Sequence, residues 1–207
     1  ALYDEPFSDS SQIPTFLVSQ LARQHVTVCL SGDAGDELFC GYNRYLMTEK
    51  LWRKLSGIPL PMRRMMAKSL IRLAPKTWNK LTSKIGGILP EFLKMANVGD
   101  KIHKGAGVLT SGSEDELYLG LSSHWSDPAS VVINGLEPST LLTDSASSLN
   151  GLSGVQRMMA LDLLTYLPDD ILVKLDRAAM GVSLETRVPF LDHRVVKFAW
   201  RLPQSMK

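Results

Sequence analysis

The chain has 207 residues, 44% of them hydrophobic and 21% charged, with a formal net charge of +2. This composition is typical of a globular protein and excludes a disordered, collagen-like or disulfide-stapled chain. The longest apolar runs are about five or six residues, whereas a membrane-spanning helix needs about 20. We therefore expect one large cytoplasmic domain without membrane contact.

The charge is unevenly distributed along the chain. Residues 1–43 hold one Lys or Arg against six acids, residues 44–104 hold fourteen against three, and residues 105–207 hold eight against twelve. The middle stretch, the basic block, is a solvated face, a face that docks on a missing part of its own longer chain, or a site for nucleic acid or another anionic partner. Few aromatic residues interleave with its charges, so we do not expect nucleic acid.

The first predicted elements are a helix and a strand. Asp9 and Pro14 belong to a helix-start signal, and the apolar residues up to Ala22 give the helix one apolar face. Residues 25–30 are β-branched and almost continuously apolar, which is typical of a strand buried on both faces of a parallel sheet. A helix, a strand and then a glycine-containing loop predict an α/β fold.

The rest of the chain is predicted to be mainly helical. In the basic block, apolar side chains are spaced to cover one side of the helices and Lys or Arg the other. The remaining predictions are, in chain order, prolines as breaks at 59, 61, 75 and 90, connections at 86–87 and 99–112, a short helix at 115–121, turns at 145–154, an apolar helix from Val155 that ends at Pro168, a helix over about 169–180, an extended segment at 183–188, and a helix opened by Asp192.

The sharpest motif is the loop that follows the predicted strand. Residues 31–42 read Ser-Gly-Asp-Ala-Gly-Asp-Glu-Leu-Phe-Cys-Gly-Tyr. In open parallel sheets, ligands bind outside the carboxyl ends of the strands. Small residues at Ser31, Gly32, Ala34 and Gly35 would let a ligand approach the backbone closely, with backbone N–H groups directed at it. The loop therefore predicts a nucleotide site.

Three carboxylates in this loop qualify that prediction. Asp33, Asp36 and Glu37 would repel bare phosphate, so a phosphate ligand requires Mg²⁺, which binds one or two carboxylates together with substrate oxygens. The alternative is local: Asp33 caps the following helix, with Asp36 as its capping-box partner.

Two further segments carry charges that need an explanation. Lys174 lies beside an apolar helical stripe, where an amine at a pocket rim can act on phosphate or on a developing oxyanion. The alternative is an ordinary Asp170–Lys174 pair on a solvated face. In the extended segment, Glu185 and Arg187 point to the same side, and we favour a buried pair that braces neighbouring loops over a catalytic one.

Together these motifs resemble the synthetase domain of glutamine-hydrolysing asparagine synthetases. The resemblance rests on residues 31–42, 167–180 and 183–193, and also on Asp4-Glu5-Pro6 with Ile13-Pro14-Thr15. It covers residues 1–45 and 155–203. It implies a predominantly helical α/β chain that is part of an adenine-nucleotide α-hydrolase-like parallel-sheet domain.

The resemblance also implies an organisation and a reaction. Residues 1–45 would supply the helix, strand and loop of the nucleotide site, residues 46–154 a basic helical insertion with connections, and residues 155–207 the C-terminal helical part. The implied enzyme uses ATP to adenylate a carboxylate, with release of pyrophosphate. Ammonia derived from glutamine then displaces AMP and leaves an amide, so aspartate gives asparagine.

Residue roles follow from the same resemblance. Ser31, Gly32 and Gly35 would contact the nucleotide, and Asp36 would hold Mg²⁺ on the pyrophosphate. Lys174 would neutralise phosphate charge as it develops.

Asp33 stands where asparagine-forming members have a Glu placed to accept a proton from ammonia. Because Asp is one methylene shorter, its carboxylate lies roughly 1.5 Å further back. The acceptor is therefore left open between aspartate and another carboxylate, for example on a sugar or a peptide.

Two family features are missing from these 207 residues. None of the four Ser-Gly pairs continues as the Ser-Gly-Gly-x-Asp-Ser pyrophosphate loop, and the N-terminal Cys nucleophile of the glutaminase domain is absent. We therefore predict that the chain is the later part of a longer synthetase, that the remainder of that protein is its partner, and that it cannot form an amide alone.

Overall fold

The computed structural model describes residues 7–84, 97–123, 125, 128–136, 138–141, 149, 151–152 and 154–207. The chain divides into two compact units: the first comprises Ala1–Tyr45 with Ser139–Lys207, and the second comprises Leu46–Pro138. The described residues are mostly helical with a small parallel sheet, which confirms a predominantly helical α/β chain. Among these residues we find no helix with the length and hydropathy of a membrane span.

The helices and strands follow the predicted order closely. They are, in chain order, α1 (Gln12–Arg23), β1 (Val28–Leu30), α2 (Gly35–Phe39), α3 (Asn43–Leu55), α4 (Leu60–Ile71), α5 (Pro75–Lys84), α6 (Val98–Leu109), α7 (Glu114–Ser122), α8 (Gly154–Leu164), α9 (Leu172–Met180), β2 (Glu185–Arg187) and α10 (His193–Arg201). The predictions on residues 4–6, 86–87 and 90, and most of the turns predicted at 145–154, lie outside the described residues.

The sheet pairs β1 with β2 in parallel. Val28 is in register with Glu185 and Leu30 with Arg187. The Glu185 N–H at the start of β2 donates to O of Thr27, the residue before β1, at 3.0 Å. The predicted strand and extended segment are confirmed, but burial on both faces is wrong: Val28 is 48% exposed and Leu30 is 74% exposed. Two short strands leave these side chains without the neighbours that a wider sheet would supply.

The core of the first unit joins the loop after β1 to the segment before α9. Ala34, Leu167 and Ile171 are buried together. Helix α8 ends at Leu164, before Pro168 and not at it as predicted, and a π-helical turn over Leu167–Ile171 contains the proline and leads into α9. Proline lacks the N–H that a regular helix needs, and a wider turn is a common way to accommodate it.

The second unit corrects the prediction of a connection at 99–112. Val98–Leu109 is helix α6, although it contains three glycines. At Gly99, a Cβ would lie 2.1 Å from Pro75 O, and the Gly99 N–H donates to Asn79 Oδ1 at 2.8 Å. This glycine permits close packing of α6 on α5, so it is a contact residue and not a helix breaker.

Helix α4 corrects the predicted division into an apolar and a basic side. Met62, Met65 and Met66 are 53%, 64% and 45% exposed, whereas Arg63 is only 4% exposed. The Arg63 guanidinium is buried because backbone carbonyls satisfy it: it donates to Ile58 O at 3.0 Å and to Ser111 O at 2.7 Å, with a longer bond to Leu109 O at 3.4 Å. A hydrogen-bonded arginine therefore takes the place that the periodicity assigned to apolar residues.

Two helix starts are confirmed by their caps. Ser113 Oγ accepts the Glu116 N–H at 3.1 Å, and Glu116 Oε2 accepts the Gly112 N–H at 2.6 Å, which begins α7 close to the predicted position. Asp192 Oδ1 accepts the Arg194 N–H at 2.8 Å and begins α10. Such caps satisfy N–H groups that the helix itself leaves without acceptors.

Candidate functional site

The loop at the carboxyl end of β1 is held at both ends. The Ser31 N–H donates to Arg187 O at 2.8 Å, which extends the sheet pairing into the loop. Ala34 then adopts a left-handed conformation with φ of 69°, and Cys40 does the same at the far end of α2 with φ of 59°. The predicted strand, loop and helix are thus present, and α2 is a single short turn between two left-handed residues.

Asp33 does not cap α2. The residue before this helix is Ala34, which has no side-chain acceptor, so the capping alternative is wrong. The Asp33 carboxylate instead accepts a hydrogen bond from the Ser31 hydroxyl, and the Asp33 N–H contacts Ser31 Oγ at 3.4 Å. The structure therefore brings two of the predicted site residues together within the loop.

The two predicted glycines have different surroundings. Gly32 is exposed, and no atom lies within 4 Å of where its Cβ would be. At Gly35, a Cβ would lie 3.4 Å from the Phe190 ring, and its N–H donates to Gly32 O at 3.3 Å. Gly32 therefore leaves open space beside the backbone, whereas Gly35 fits against Phe190.

Asp36 is exposed and lies against the backbone of Gly41. A Cβ on Gly41 would be 1.9 Å from Asp36 Oδ1 and 3.1 Å from Asp36 Cα. The absence of a side chain at Gly41 thus leaves a space, the cradle, that the Asp36 carboxylate occupies and that any Cβ would fill. Among the described residues, no group of three or more His, Cys, Asp or Glu could hold a metal ion. A single accessible carboxylate fits Mg²⁺ that arrives with a nucleotide, since Mg²⁺ takes few protein ligands alongside phosphate oxygens.

The neighbouring carboxylate, Glu37, is buried. It is 1% exposed, and its Oε1 accepts a hydrogen bond from the Tyr42 hydroxyl at 2.9 Å. Burial raises the pKa of Glu37 above its usual range, and the negative charges of Asp162 and Asp36 add to the rise. Burial and the Glu37 carboxylate likewise raise the pKa of Tyr42, so its hydroxyl remains a donor.

A cluster around Arg44 connects this loop to α8. The Arg44 guanidinium forms an ion pair with Asp162, a residue of α8 that is 3% exposed, and the Tyr45 hydroxyl donates to Asp162 Oδ2 at 2.7 Å. The guanidinium also stacks over the rings of Tyr42 and Tyr166, at 4.1 and 4.7 Å from their centroids. Both contacts are within the range of a cation–π interaction.

Sequence reasoning missed this cluster, although two signals were available. Asp162 is the one charged residue between Met158 and Leu164 of a strongly apolar helix, and a carboxylate in such a place needs a partner. Arg44 stands between Tyr42 and Tyr45 directly after the loop, a composition suited to stacking. The spacing of 118 residues between Arg44 and Asp162 hid their contact.

Lys174 has a partner other than the one considered from the sequence. It is 9% exposed, and its Nζ donates to Asp9 Oδ2 at 2.6 Å. The predicted alternative placed Lys174 on a solvated face, and this is wrong because the side chain is buried. Burial alone would lower the pKa of Lys174, but the hydrogen bond to Asp9 and the negative charges around the ammonium together outweigh burial and raise the pKa. The Asp9 carboxylate also accepts the N–H and hydroxyl of Ser11, both at 2.8 Å, just before α1.

The Glu185–Arg187 pair is present, but it is not buried. The two side chains of β2 form an ion pair while remaining 51% and 68% exposed, respectively. Their expected role as a buried brace is therefore wrong, because the described sheet places no further element over this face. The bracing contact comes instead from Phe190, whose ring packs edge to face on Phe39 with centroids 5.8 Å apart.

The three predicted motifs thus meet at one edge of the sheet. The loop after β1 packs through Ala34 on Leu167 and Ile171, and Gly35 and Phe39 of α2 pack on Phe190. A loop at the carboxyl end of a parallel strand, with an accessible carboxylate and open backbone, is the kind of site at which α/β proteins bind nucleotides.

The family of this protein follows from comparison with known sequences. The Asparagine synthase family model matches residues 1–207, so the chain belongs to the asparagine synthase family. The resemblance drawn from its three motifs is confirmed.

Three curated relatives illustrate the match. A putative asparagine synthetase (glutamine-hydrolyzing) of Mycobacterium tuberculosis is 36% identical over 208 residues, covering 99% of this chain and 28% of the relative. Asparagine synthetase (glutamine-hydrolyzing) 1 of Bacillus subtilis is 29% identical over 214 residues, covering 99% and 29%. A putative asparagine synthetase (glutamine-hydrolyzing) 2 of Methanocaldococcus jannaschii is 60% identical over 45 residues, 22% of this chain and 9% of the relative.

The chain therefore spans less than a third of the length of the first two of these relatives. No solved structure matches it.

Proposed function

We propose that this chain is the later part of an ATP-dependent amidotransferase that adenylates a carboxylate and converts it to an amide with ammonia derived from glutamine. The observation that carries the proposal is the loop after β1, which presents both an exposed Asp36 and an exposed, unobstructed Gly32. Family membership supports the class of reaction. The names of the relatives support aspartate as acceptor and asparagine as product.

The proposed reaction has two steps. In the first, an oxygen of the acceptor carboxylate attacks the α-phosphorus of ATP, the bond to the β-phosphate breaks, and pyrophosphate leaves. In the second, ammonia attacks the acyl carbon, the bond to the adenylate oxygen breaks, and AMP leaves with that oxygen. One proton must be removed from the attacking nitrogen for the amide to form.

We assign the nucleotide to the backbone of the loop and the metal to its exposed carboxylate. The adenylate contacts Ser31, Gly32 and Gly35, and it approaches the backbone most closely at Gly32. Asp36 is the residue that would hold Mg²⁺. When bound, Mg²⁺ would supply neutralisation of the charge on the pyrophosphate oxygens.

We assign to Lys174 the role of neutralising phosphate charge, and to Asp33 the role of accepting the proton that ammonia loses. The Lys174 ammonium stays protonated because Asp9 accepts its hydrogen bond, so it can supply a fixed positive charge to the nucleotide. Asp33 accepts the proton from ammonia, and the Ser31 hydroxyl that donates to it sets the position of its carboxylate. The short Asp33 side chain is the reason to test acceptors other than aspartate.

The remainder of a longer chain is part of the proposal. The exposure of Val28 and Leu30 supports a wider sheet of the adenine-nucleotide α-hydrolase type, in which further elements cover these side chains. In that protein, residues 1–45 form the nucleotide-site segment, residues 46–154 a basic insertion with connections, and residues 155–207 the C-terminal helical part. The chain by itself then releases no pyrophosphate and forms no amide.

The test is acceptor-dependent exchange of labelled pyrophosphate into ATP by the full-length protein. Aspartate and a panel of sugar and peptide carboxylates serve as acceptors, and Asp36→Ala is the control. Exchange with aspartate that the control lacks establishes an asparagine-forming enzyme. Exchange with another carboxylate alone identifies a different amidotransferase, and silence with every acceptor rejects the proposal.

A further inference from the structure

The residues around Arg44 have no role in the reaction described above, and yet they bury charge next to its loop. We propose that Glu37, Tyr42, Arg44 and Asp162, the Arg44 cluster, position the Asp36 carboxylate for the metal–nucleotide complex. The inference rests on the proposed function for what Asp36 binds. The contacts within the cluster stand independently of it.

The first step is the turn that touches Asp36. Cys40 is left-handed, and the Gly41 N–H donates to Asp36 O at 3.0 Å, so the chain folds back on α2 directly after it ends. This return brings the Gly41 backbone against the Asp36 carboxylate. The orientation of the carboxylate therefore depends on where the turn at Cys40 and Gly41 lies.

The second step is a hydrogen bond that closes this turn. Glu37 follows Asp36 and Tyr42 follows Gly41, and the Tyr42 hydroxyl donates to Glu37 Oε1 at 2.9 Å. Since Glu37 is 1% exposed, the bond is shielded from water and cannot readily be exchanged for one to solvent. It fixes both flanks of the Asp36–Gly41 contact at once.

The third step anchors the turn to the rest of the first unit. The Arg44 guanidinium stacks on the Tyr42 ring at 4.1 Å from its centroid and forms an ion pair with Asp162 of α8. Tyr45 donates to the same carboxylate at 2.7 Å. A half-buried arginine between a tyrosine ring and a buried aspartate permits only a narrow range of positions for that ring.

The cluster is a positioning device and not part of the reacting groups. Its members act on the position of the Asp36 carboxylate through the turn, as residues behind a metal ligand commonly do. A cluster of buried charges costs desolvation energy that an apolar core would avoid, and a defined geometry is what it provides in return.

The test uses the full-length protein, three variants of the cluster and one control variant. Tyr42→Phe removes only the hydroxyl, Arg44→Lys keeps the charge but not the planar group, and Asp162→Asn removes the buried charge. Arg194→Lys is the control for Arg44→Lys. It also replaces an arginine by lysine, but Arg194 pairs with Asp192 at the surface. Binding of Mn²⁺ in the presence of ATP is measured by electron paramagnetic resonance, and KM and kcat are measured by pyrophosphate exchange.

We expect Mn²⁺ to bind about 10- to 100-fold more weakly to Tyr42→Phe and Arg44→Lys, with a rise in the KM for the metal–nucleotide complex and little change for the control. Wild-type Mn²⁺ binding by folded Tyr42→Phe and Arg44→Lys overturns the inference. A Mn²⁺ affinity of Arg44→Lys that lies between the affinities of the wild type and of Asp162→Asn would support the inference.

A separate measurement keeps this inference distinct from the proposed function. If the wild-type protein binds no Mn²⁺ with ATP, the proposed function fails, and the cluster is judged by denaturation midpoints alone. The shifts in denaturation midpoint caused by Tyr42→Phe and Asp162→Asn should then not add up in the double variant, because Arg44 contacts both side chains. Additive shifts would show that no such connection exists.

Discussion

The two units of the chain treat charge in opposite ways. In the first unit, Glu37, Asp162 and Lys174 are buried, and each has a side-chain partner of its own. In the described part of the second unit, the buried charge is Arg63, which is satisfied by backbone carbonyls, and the other Lys and Arg side chains from Lys50 to Lys80 are exposed.

This difference separates charge that organises a site from charge that is solvated. Buried ion pairs cost desolvation and are weak evidence of stability, so we interpret the Arg44–Asp162 pair beside the loop in terms of the positioning role proposed above. Exposed charges cost little and are easily exchanged for one another. The burial of charged residues is therefore a better guide to a functional site than their number. By this measure the basic block is a weaker indication of a site than the first unit.

The largest expected effect is at Asp36. In the full-length protein, Asp36→Ala should lower the rate of pyrophosphate exchange by more than about 100-fold, since it removes the proposed metal ligand itself. The fold should not change, because the side chain is exposed. Asp100→Ala is the matched control in the second unit, an exposed carboxylate that also lies in the first turn of a helix. Equal rates for the two variants would remove Asp36 from the site.

Two glycine substitutions, one in each unit, should have different effects. Gly41→Ala places a Cβ 1.9 Å from Asp36 Oδ1 and should lower exchange by about 10-fold or more, as displaced metal ligands do. Gly105→Ala in α6 meets no atom within 4 Å and should raise the free energy of unfolding by about 0.4–1 kcal/mol with no effect on exchange. Unchanged exchange in Gly41→Ala would contradict the cradle.

The Asp9–Lys174 pair predicts a dependence of stability on pH. Asp9→Asn should lower the free energy of unfolding by about 1–3 kcal/mol near neutral pH, because it weakens a partly buried charge-assisted hydrogen bond. Burial raises the pKa of Asp9, but the hydrogen bonds from Lys174 and Ser11 lower it more, so it lies below its ordinary value of 3.8. The raised pKa of Lys174 lies above its ordinary value of 10.5.

The sign of the effect follows from these two directions. The contribution of Asp9 is present above pH 3.8 and is lost as the pH falls through its lowered pKa. The contribution of Lys174 is present below pH 10.5 and is lost as the pH rises through its raised pKa. Chemical unfolding should therefore show that the free energy of unfolding of the wild type exceeds that of Asp9→Asn by a constant amount between these pH limits. This excess should become smaller in acid. A difference that grows in acid would contradict the pairing.

The smallest effects are expected in the basic block. Arg64→Gln and Lys68→Gln change exposed side chains of α4 and should alter the free energy of unfolding by less than about 0.5 kcal/mol. The full-length protein should not shift short DNA or RNA on a gel at low salt, where any electrostatic binding is strongest. A shift that disappears at higher salt would instead make the block a binding surface.

Local patterns predicted the elements better than they predicted the contacts. The strand, the loop and the caps of α7 and α10 depend on residues close in sequence, which pattern reasoning can use. The pairs of Lys174 with Asp9 and of Arg44 with Asp162 join residues 165 and 118 positions apart, and nothing in the local sequence specifies such partners. They arise from the packing of α9 on α1 and of the loop on α8.

The errors in the fold have a similar origin. The glycines of α6 are unfavourable in a helix by themselves, and only the close contact of Gly99 with Pro75 explains one of them. The burial of Arg63 depends on carbonyls of two separate turns. The exposure of Leu30 depends on which strands are present beside β1, which its own sequence does not reveal.

A crystal structure of the full-length protein with Mg²⁺ and a non-hydrolysable ATP analogue would show whether the loop after β1 binds the nucleotide. We predict that Asp36 binds the metal at about 2.0–2.1 Å and that the phosphates lie against Ser31 and Gly32. A nucleotide bound elsewhere, with Asp36 facing solvent, would contradict the assignment of this loop as the nucleotide site.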